Sequence, residues 1–136
     1  MPAKPPTVVN VLWTRELKFE ATSGHHALVL DSGSIVGPSP VQILAVAVAS
    51  CMSVDVVHIL QRGRHAFRAF KAAFTGDRAQ EDPHRFVAMR LHLTVEGDVP
   101  RDVVERAAAL SREKYCSVWH SMRHDIDFQV TVDVVP

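Results

Sequence analysis

Ser39-Pro-Val-Gln-Ile-Leu-Ala-Val-Ala-Val-Ala-Ser-Cys51-Met-Ser-Val-Asp55-Val-Val-His58-Ile-Leu60 is the stretch on which the fold turns. From Val41 to Leu60 it contains neither Gly nor Pro, and it is apolar on nearly every face until Asp55. Ser39, then Pro40, then Gln42 three residues after the serine, has the form of a capping box with proline at the first helical position. A helix that is apolar all round is a buried helix. At ~1.5 Å per residue such a run spans about 30 Å, the width of a small domain. The pattern therefore predicts a central helix, wrapped by the rest of the chain or shared with a second subunit. Gln61-Arg62-Gly63-Arg64 ends it, because cations favour a helix C-terminus and glycine suits the residue just beyond it.

Working outward, three strands are expected before the helix: Val8–Trp13, Leu17–Thr22 and His25–Leu30. Ser23-Gly24 supplies a hairpin turn. Asp31-Ser-Gly-Ser34 and Gly37-Pro-Ser-Pro40 punctuate the loop that enters the helix. After it, Phe67–Thr75 and Phe86–Glu96 read as strands. In the second of these Val87, Met89, Leu91, Leu93 and Val95 alternate with Ala88, Arg90, His92, Thr94 and Glu96, a half-buried strand of an antiparallel sheet. Gly76 to Pro83 is the polar loop between the two. Pro100–Lys114 reads as an amphipathic helix with Val103, Val104, Ala107 and Leu110 on its buried stripe. Cys116–Met122 is a further helical piece, and Phe128–Val134 alternates cleanly and closes the sheet. The expected fold is α+β in the order β-β-β-α-β-β-α-α-β, with antiparallel sheets around the central helix. Residues 1–7 form a Pro-rich flexible arm and 8–136 a single domain.

Composition narrows the function classes. Lys+Arg and Asp+Glu number 15 each, so the formal charge is zero, and a nucleic-acid binder with a basic excess is not expected. Arg62, Arg64, Arg68 and Lys71, interleaved with Phe67 and Phe70, read as a solvated helix end followed by a strand. The opening Met-Pro-Ala-Lys-Pro-Pro has no apolar segment of the secretory kind. The longest apolar run, Ile43–Met52, falls short of the ~20 residues that span a bilayer. A cytoplasmic protein without a membrane partner is expected. In that reducing compartment two cysteines more often serve catalysis or metal binding than a structural disulfide.

The cysteines are 116 − 51 = 65 residues apart with no C-x-x-C motif, so only the fold could bring them together. Cys51, within the apolar helix, reads by itself as a small buried hydrophobe. Cys116 has Arg112, Lys114 and Arg123 near it in sequence and stands before a helical piece. Both features lower a thiol pKa, so a reactive thiol and a structural one are equally open there. Asp55, one turn after Cys51 on the same helix face, needs a polar partner. Cys116, His120 and His124 have the i, i+4, i+8 spacing of one helix face and could hold zinc. Arg123 and Asp125 flank His124, and the helix is expected to end near Met122, so no metal site or cofactor is assigned. His58 reads as a buried, hydrogen-bonded histidine.

Gly37-Pro-Ser-Pro-Val-Gln-Ile-Leu-Ala-Val-Ala-Val-Ala-Ser-Cys51, followed by Asp55-Val-Val-His-Ile-Leu60, resembles the central helix of the OsmC/Ohr family of osmotically inducible and organic hydroperoxide resistance proteins. Leu110-Ser-Arg-Glu-Lys-Tyr-Cys-Ser-Val118 resembles its second cysteine motif. Trp13, Phe19 and Pro83-x-x-Phe86 also fit, and the likeness runs from about Val8 to Val134, nearest to a less characterised branch. The resemblance implies an intertwined homodimer with its central helices between sheets and two sites at the subunit interface. It implies a peroxidase that reduces organic hydroperoxides, with Cys51 the reactive thiol, Cys116 the resolving thiol and an external dithiol as reductant. Family peroxidases hold an arginine over the reactive thiol with a glutamate near the helix start. Gln42 stands at that place here, and Arg15 is the basic residue in the matching N-terminal region. Two further classes stay open beside the peroxidase: a non-enzymatic member binding an apolar ligand in the dimer cleft, and a metal-binding protein.

Overall fold

The capping box closes as written in the computed structural model, which describes residues 3–136. Gln42 N–H donates to Ser39 Oγ at 3.2 Å, and Ser39 N–H donates to Gln42 Oε1 at 2.9 Å. Two donors that a helix start leaves unpaired are thereby satisfied. The helix they open, α1, runs Pro40–Arg62. Three strands precede it: β1 (Asn10–Arg15), β2 (Lys18–Ser23) and β3 (His26–Asp31). After it come β4 (Phe67–Arg78), β5 (Phe86–Gly97), α2 (Arg101–Leu110), a π turn over Ser111–Tyr115, α3 (Ser117–His120) and β6 (Asp127–Val135). The order is the expected one. Of the anticipated arm, Met1 and Pro2 lie outside the described residues, and 3–7 are irregular and exposed.

The chain divides into two compact units, Met1–Leu44 and Ala45–Pro136. The first holds the antiparallel sheet β1-β2-β3. Gly24, with φ 59°, makes the tight turn between β2 and β3 that a residue without Cβ permits. The loop into α1 is built around Asp31, whose carboxylate accepts backbone N–H groups from Gly33 (2.9 Å), Ile35 (3.2 Å) and Val36 (3.1 Å). These bonds, that from Val36 foremost, hold its carboxyl below the usual range. Gly37 then passes so close to β3 that a Cβ there would lie 2.4 Å from the Val29 carbonyl oxygen.

The second unit holds the sheet β4-β5-β6. β4 and β5 form the antiparallel hairpin that was expected, but β4 runs on to Arg78, so Gly76 belongs to the strand and not to the loop. Gly76 packs where a Cβ would come within 2.5 Å of the Phe86 ring. A register shift at this end pairs Asp77 with Ala88 and Arg78 with Phe86, leaving Val87 unpaired. That irregularity turns Val87 outward and Phe86 inward, so the expected alternation holds only from Met89 onward. β6 pairs with β5 in parallel, where an antiparallel partner was expected. The reason is the crossover through α2 and α3, which returns the chain to the same end of the sheet.

The core of this unit consists of Val48, Met52, Val56 and Leu60 of α1, Met89, Leu91, Leu93 and Val95 of β5, Phe128 and Val132 of β6, and Val104, Ala107 and Ala108 of α2. The α1 residues recur every four positions, one stripe of the helix. The expectation of burial on every face is therefore corrected for the single chain: Val46 and Val54 are 61% and 66% exposed. At 23 residues, with a mean hydropathy of 2.2 over an 18-residue window, α1 is long and apolar enough by length and composition to cross a bilayer, unlike the shorter run weighed from sequence. A core helix passes the same test, and one stripe of α1, Val48, Met52, Val56 and Leu60, packs into the core of this unit.

Candidate functional site

α2 does not continue to Lys114 as the periodicity predicts. It gives way to the π turn, in which Cys116 N–H donates to the Ser111 carbonyl five residues back at 2.8 Å. Cys116 then turns extended (φ −71°, ψ 100°) and caps α3, its Sγ accepting from Trp119 N–H at 3.3 Å. The thiol is fully buried. Trp119 closes over this corner, stacked on His124 with ring centroids 4.5 Å apart and tilted against Phe128 at 4.7 Å.

Cys51, half-buried on α1, lies close enough to influence this thiol. Burial pushes the Cys116 thiol up to about 11; hydrogen bonding and charge from Cys51 push the same way, while the N–H groups of Trp119 and Val118 oppose them. The nearby Arg112 and Lys114, expected to favour a thiolate, point elsewhere: Arg112 lies over the rings of Phe128 and Trp119 at 5.1 and 5.9 Å, and Lys114 over Tyr115 at 5.4 Å. The positive environment anticipated around Cys116 is thus replaced by a dry one that keeps it a thiol at neutral pH.

One consequence is measurable. A thiol whose pKa is higher folded than unfolded favours the native state while both are protonated. Between about pH 9 and about pH 11 the unfolded chain sheds that proton first, so stability falls as pH rises through this window. Thermal melts of the wild type should decline there more steeply than those of Cys116→Ala. Parallel curves would contradict the dry environment.

Asp55 finds the partner its position requires: Ser111 Oγ donates to Asp55 Oδ2 at 2.7 Å. Ser111 is fully buried, and sequence reasoning passed over it. The signal was present, since Ser111 continues the apolar stripe of Val104, Ala107 and Ala108 as a polar residue in a buried place, and Asp55 is the matching misfit on α1. The second unit therefore brings together Cys51, Cys116 and Asp55. Arg15 and Gln42 belong to the first. Arg15 ends β1, exposed and with no ion-pair partner among the described residues. Gln42 Oε1 is occupied by Ser39 N–H and by the Ser34 hydroxyl at 2.7 Å. His58 is exposed, not buried. The zinc-binding helix face does not form, because α3 stops at His120 and His124 Nε2 sits 3.0 Å from the Trp119 carbonyl. Among the described residues no cluster of three or more His, Cys, Asp or Glu could hold a metal. A groove of about 340 Å³ between α2 and β6, lined by Arg101, Glu105, Arg112 and Thr131 among others, contains neither cysteine.

The fold and its thiol pair define a class: an α+β protein with one cysteine on a long apolar helix and a second delivered to it by the crossover of the other sheet. The family model described as OsmC-like protein matches residues 31–131, and the chain belongs to the OsmC-like family. It is 35% identical over 129 residues to Protein YhfA of Escherichia coli strain K12, covering 93% of this chain and 96% of the relative. A hypothetical protein from Aquifex aeolicus VF5 superposes with a TM-score of 0.89 at 25% identity, over 96% of this chain and 97% of that one. The organic hydroperoxide resistance protein OsmC from Legionella pneumophila superposes with a TM-score of 0.73 at 16% identity, over 98% and 100%, a likeness of fold. The family and the α+β class expected from the sequence both hold, with β6 parallel to β5.

Proposed function

We propose that this chain is a cysteine-based peroxidase that reduces organic hydroperoxides, with Cys51 attacking and Cys116 resolving. The observation that carries the reading is the chemical difference between two thiols that interact: Cys116 is fully buried and held protonated, while Cys51 is reachable. The Cys51 thiolate attacks the terminal peroxide oxygen, the O–O bond breaks, and the alkoxide leaves and takes a proton as the alcohol. Cys51 is left as a sulfenic acid. Cys116 S–H then condenses with it: an S–S bond forms, and the departing hydroxide leaves with the Cys116 proton as water. An external dithiol restores both thiols by exchange and is itself oxidised. Each cycle consumes one hydroperoxide and one dithiol. The family, and neighbours of the same fold described as organic hydroperoxide resistance proteins, support this chemistry in general terms.

The reading includes a homodimer in which residues 8–136 act as one domain. Val11, Leu12 and Trp13 on β1 and Val46 and Val54 on α1 are all more than half exposed, more apolar surface than a monomer normally leaves in water. A three-stranded sheet also needs a covered face to be stable. The reading sets the protein in the cytoplasm, where dithiol reductants are maintained.

Counting thiols tests it. One equivalent of cumene hydroperoxide should remove two free thiols per chain and yield one cumyl alcohol. Two thiols surviving would sink the peroxidase and favour the alternative, a non-enzymatic family member that binds an apolar ligand.

A further inference from the structure

Two polar residues stand where the sequence calls for apolar ones, and they are bonded to each other beside the thiol pair. Asp55 lies four residues after Cys51 on α1, so the two share a helix face. Ser111 and Cys116 lie five apart. In an α-helix residues five apart point roughly 140° away from one another. The π turn joins them through the backbone instead, Cys116 N–H donating to the Ser111 carbonyl. The result is a hydrogen-bonded rung from Asp55 to Ser111, with Cys51 one helical turn before the first and Cys116 tied through its backbone to the second.

We infer that the Asp55–Ser111 hydrogen bond is a clamp that sets the approach of Cys116 to Cys51, making Asp55 and Ser111 positioning residues for disulfide formation. This rests on the peroxidase reading only for the oxidant; the geometric claim concerns the thiol pair itself. Ser111 Oγ has one good partner, the Asp55 carboxylate, and the Ser111 carbonyl holds the Cys116 N–H. A shift of Ser111 is therefore transmitted through one backbone bond to the sulfur-bearing residue. Single π turns recur at functional sites.

The test uses full-length Ser111→Ala, Asp55→Ala and Asp55→Asn, each melted to establish that it is folded. The Cys51–Cys116 disulfide is equilibrated against dithiothreitol with no peroxide present. Separately, after one equivalent of cumene hydroperoxide, the lifetime of the Cys51 sulfenic acid is followed by dimedone trapping. Ser111→Ala and Asp55→Ala should each weaken the disulfide equilibrium about tenfold, the worth of one hydrogen bond to a charged group, and lengthen the sulfenic acid's life in proportion. Asp55→Asn keeps an oxygen acceptor for the serine hydroxyl and should recover most of the loss. The deficit should fall on resolution and not on the attack on peroxide, a split that general loosening would not produce. Should Ser111→Ala not fold, Asp55→Ala carries the same reading. Folded variants whose disulfide equilibrium stays within twofold of the wild type would overturn the clamp. A wild type that consumes no peroxide removes the peroxidase reading alone, and the dithiothreitol equilibrium still decides the positioning role.

Discussion

Cys51→Ser is expected to abolish peroxide consumption, by on the order of a thousandfold or more, while Cys116→Ser should perform one turnover and stop at a sulfenic acid. The asymmetry follows from the surroundings of the two sulfurs. With Cys51 gone, Cys116 remains in the dry corner capped by Trp119 N–H, and burial, the largest cause of its raised pKa, is untouched. With burial still raising its pKa, Cys116 stays almost wholly a protonated thiol at pH 7. It cannot substitute as the nucleophile. With Cys116 gone, Cys51 still attacks, but no neighbouring thiol removes its hydroxyl, and the sulfenic acid waits for dimedone or for an outside thiol. Mass spectrometry of each variant after one equivalent of cumene hydroperoxide distinguishes the cases. Equal residual turnover in both would mean that the roles are not divided as proposed.

Gly37→Ala is expected to lower the melting temperature by roughly 5–12 °C, from about 1–3 kcal/mol of forced overlap. The added Cβ would sit 2.4 Å from the Val29 carbonyl oxygen and 3.0 Å from its carbon. Neither can retreat easily. Val29 is held in register opposite Glu20, and Asp31 gathers the loop with three backbone bonds. Pro38 also confines the residue before it to extended backbone, so rotation of Gly37 offers little relief. Gly33→Ala is the control in the same loop: its new carbon would meet its nearest neighbour, Asp31 Oδ1, at an ordinary 3.5 Å. It should change stability by no more than about 0.5 kcal/mol. Equal losses from the two substitutions would mean that loop entropy, not the close pass to β3, decides the outcome.

Local physics made most of the fold legible. Ser39, Pro40 and Gln42 carry a helix start in three residues, and the run to Leu60 lacks anything that would break it. Strand alternation in Met89–Val95 and Phe128–Val134 survives because a period of two on one buried face has no competing explanation. What stayed hidden depends on partners. Nothing in Phe128–Val134 says whether its neighbour runs the same way, so β6 was placed antiparallel. Val87 looks like its alternating neighbours until a register shift removes its pairing partner. The helix after Pro100 gives no local warning of the π turn, because Ser111-Arg-Glu-Lys-Tyr115 is acceptable α-helical sequence. Exposure on α1 is illegible for another reason: composition states that a face is apolar, not which chain covers it. The candidate site divides along the same line. The pairing of Cys51 with Cys116 rests on resemblance, since 65 residues of spacing carry no geometry. The need of Asp55 for a partner was visible from burial cost alone, and the identity of that partner, Ser111, was not.

The parallel pairing of β6 has a consequence for the protein's birth. The final strand can dock beside β5 only after the crossover that bears Cys116 has left the ribosome, so the growing chain exposes Cys51 well before its counterpart exists. On the proposed peroxidase chemistry, an oxidant met in that interval would leave an orphan sulfenic acid, open to quenching by a soluble cellular thiol. On that chemistry the nascent polypeptide would borrow its protection from the surroundings until its own C-terminal third arrives.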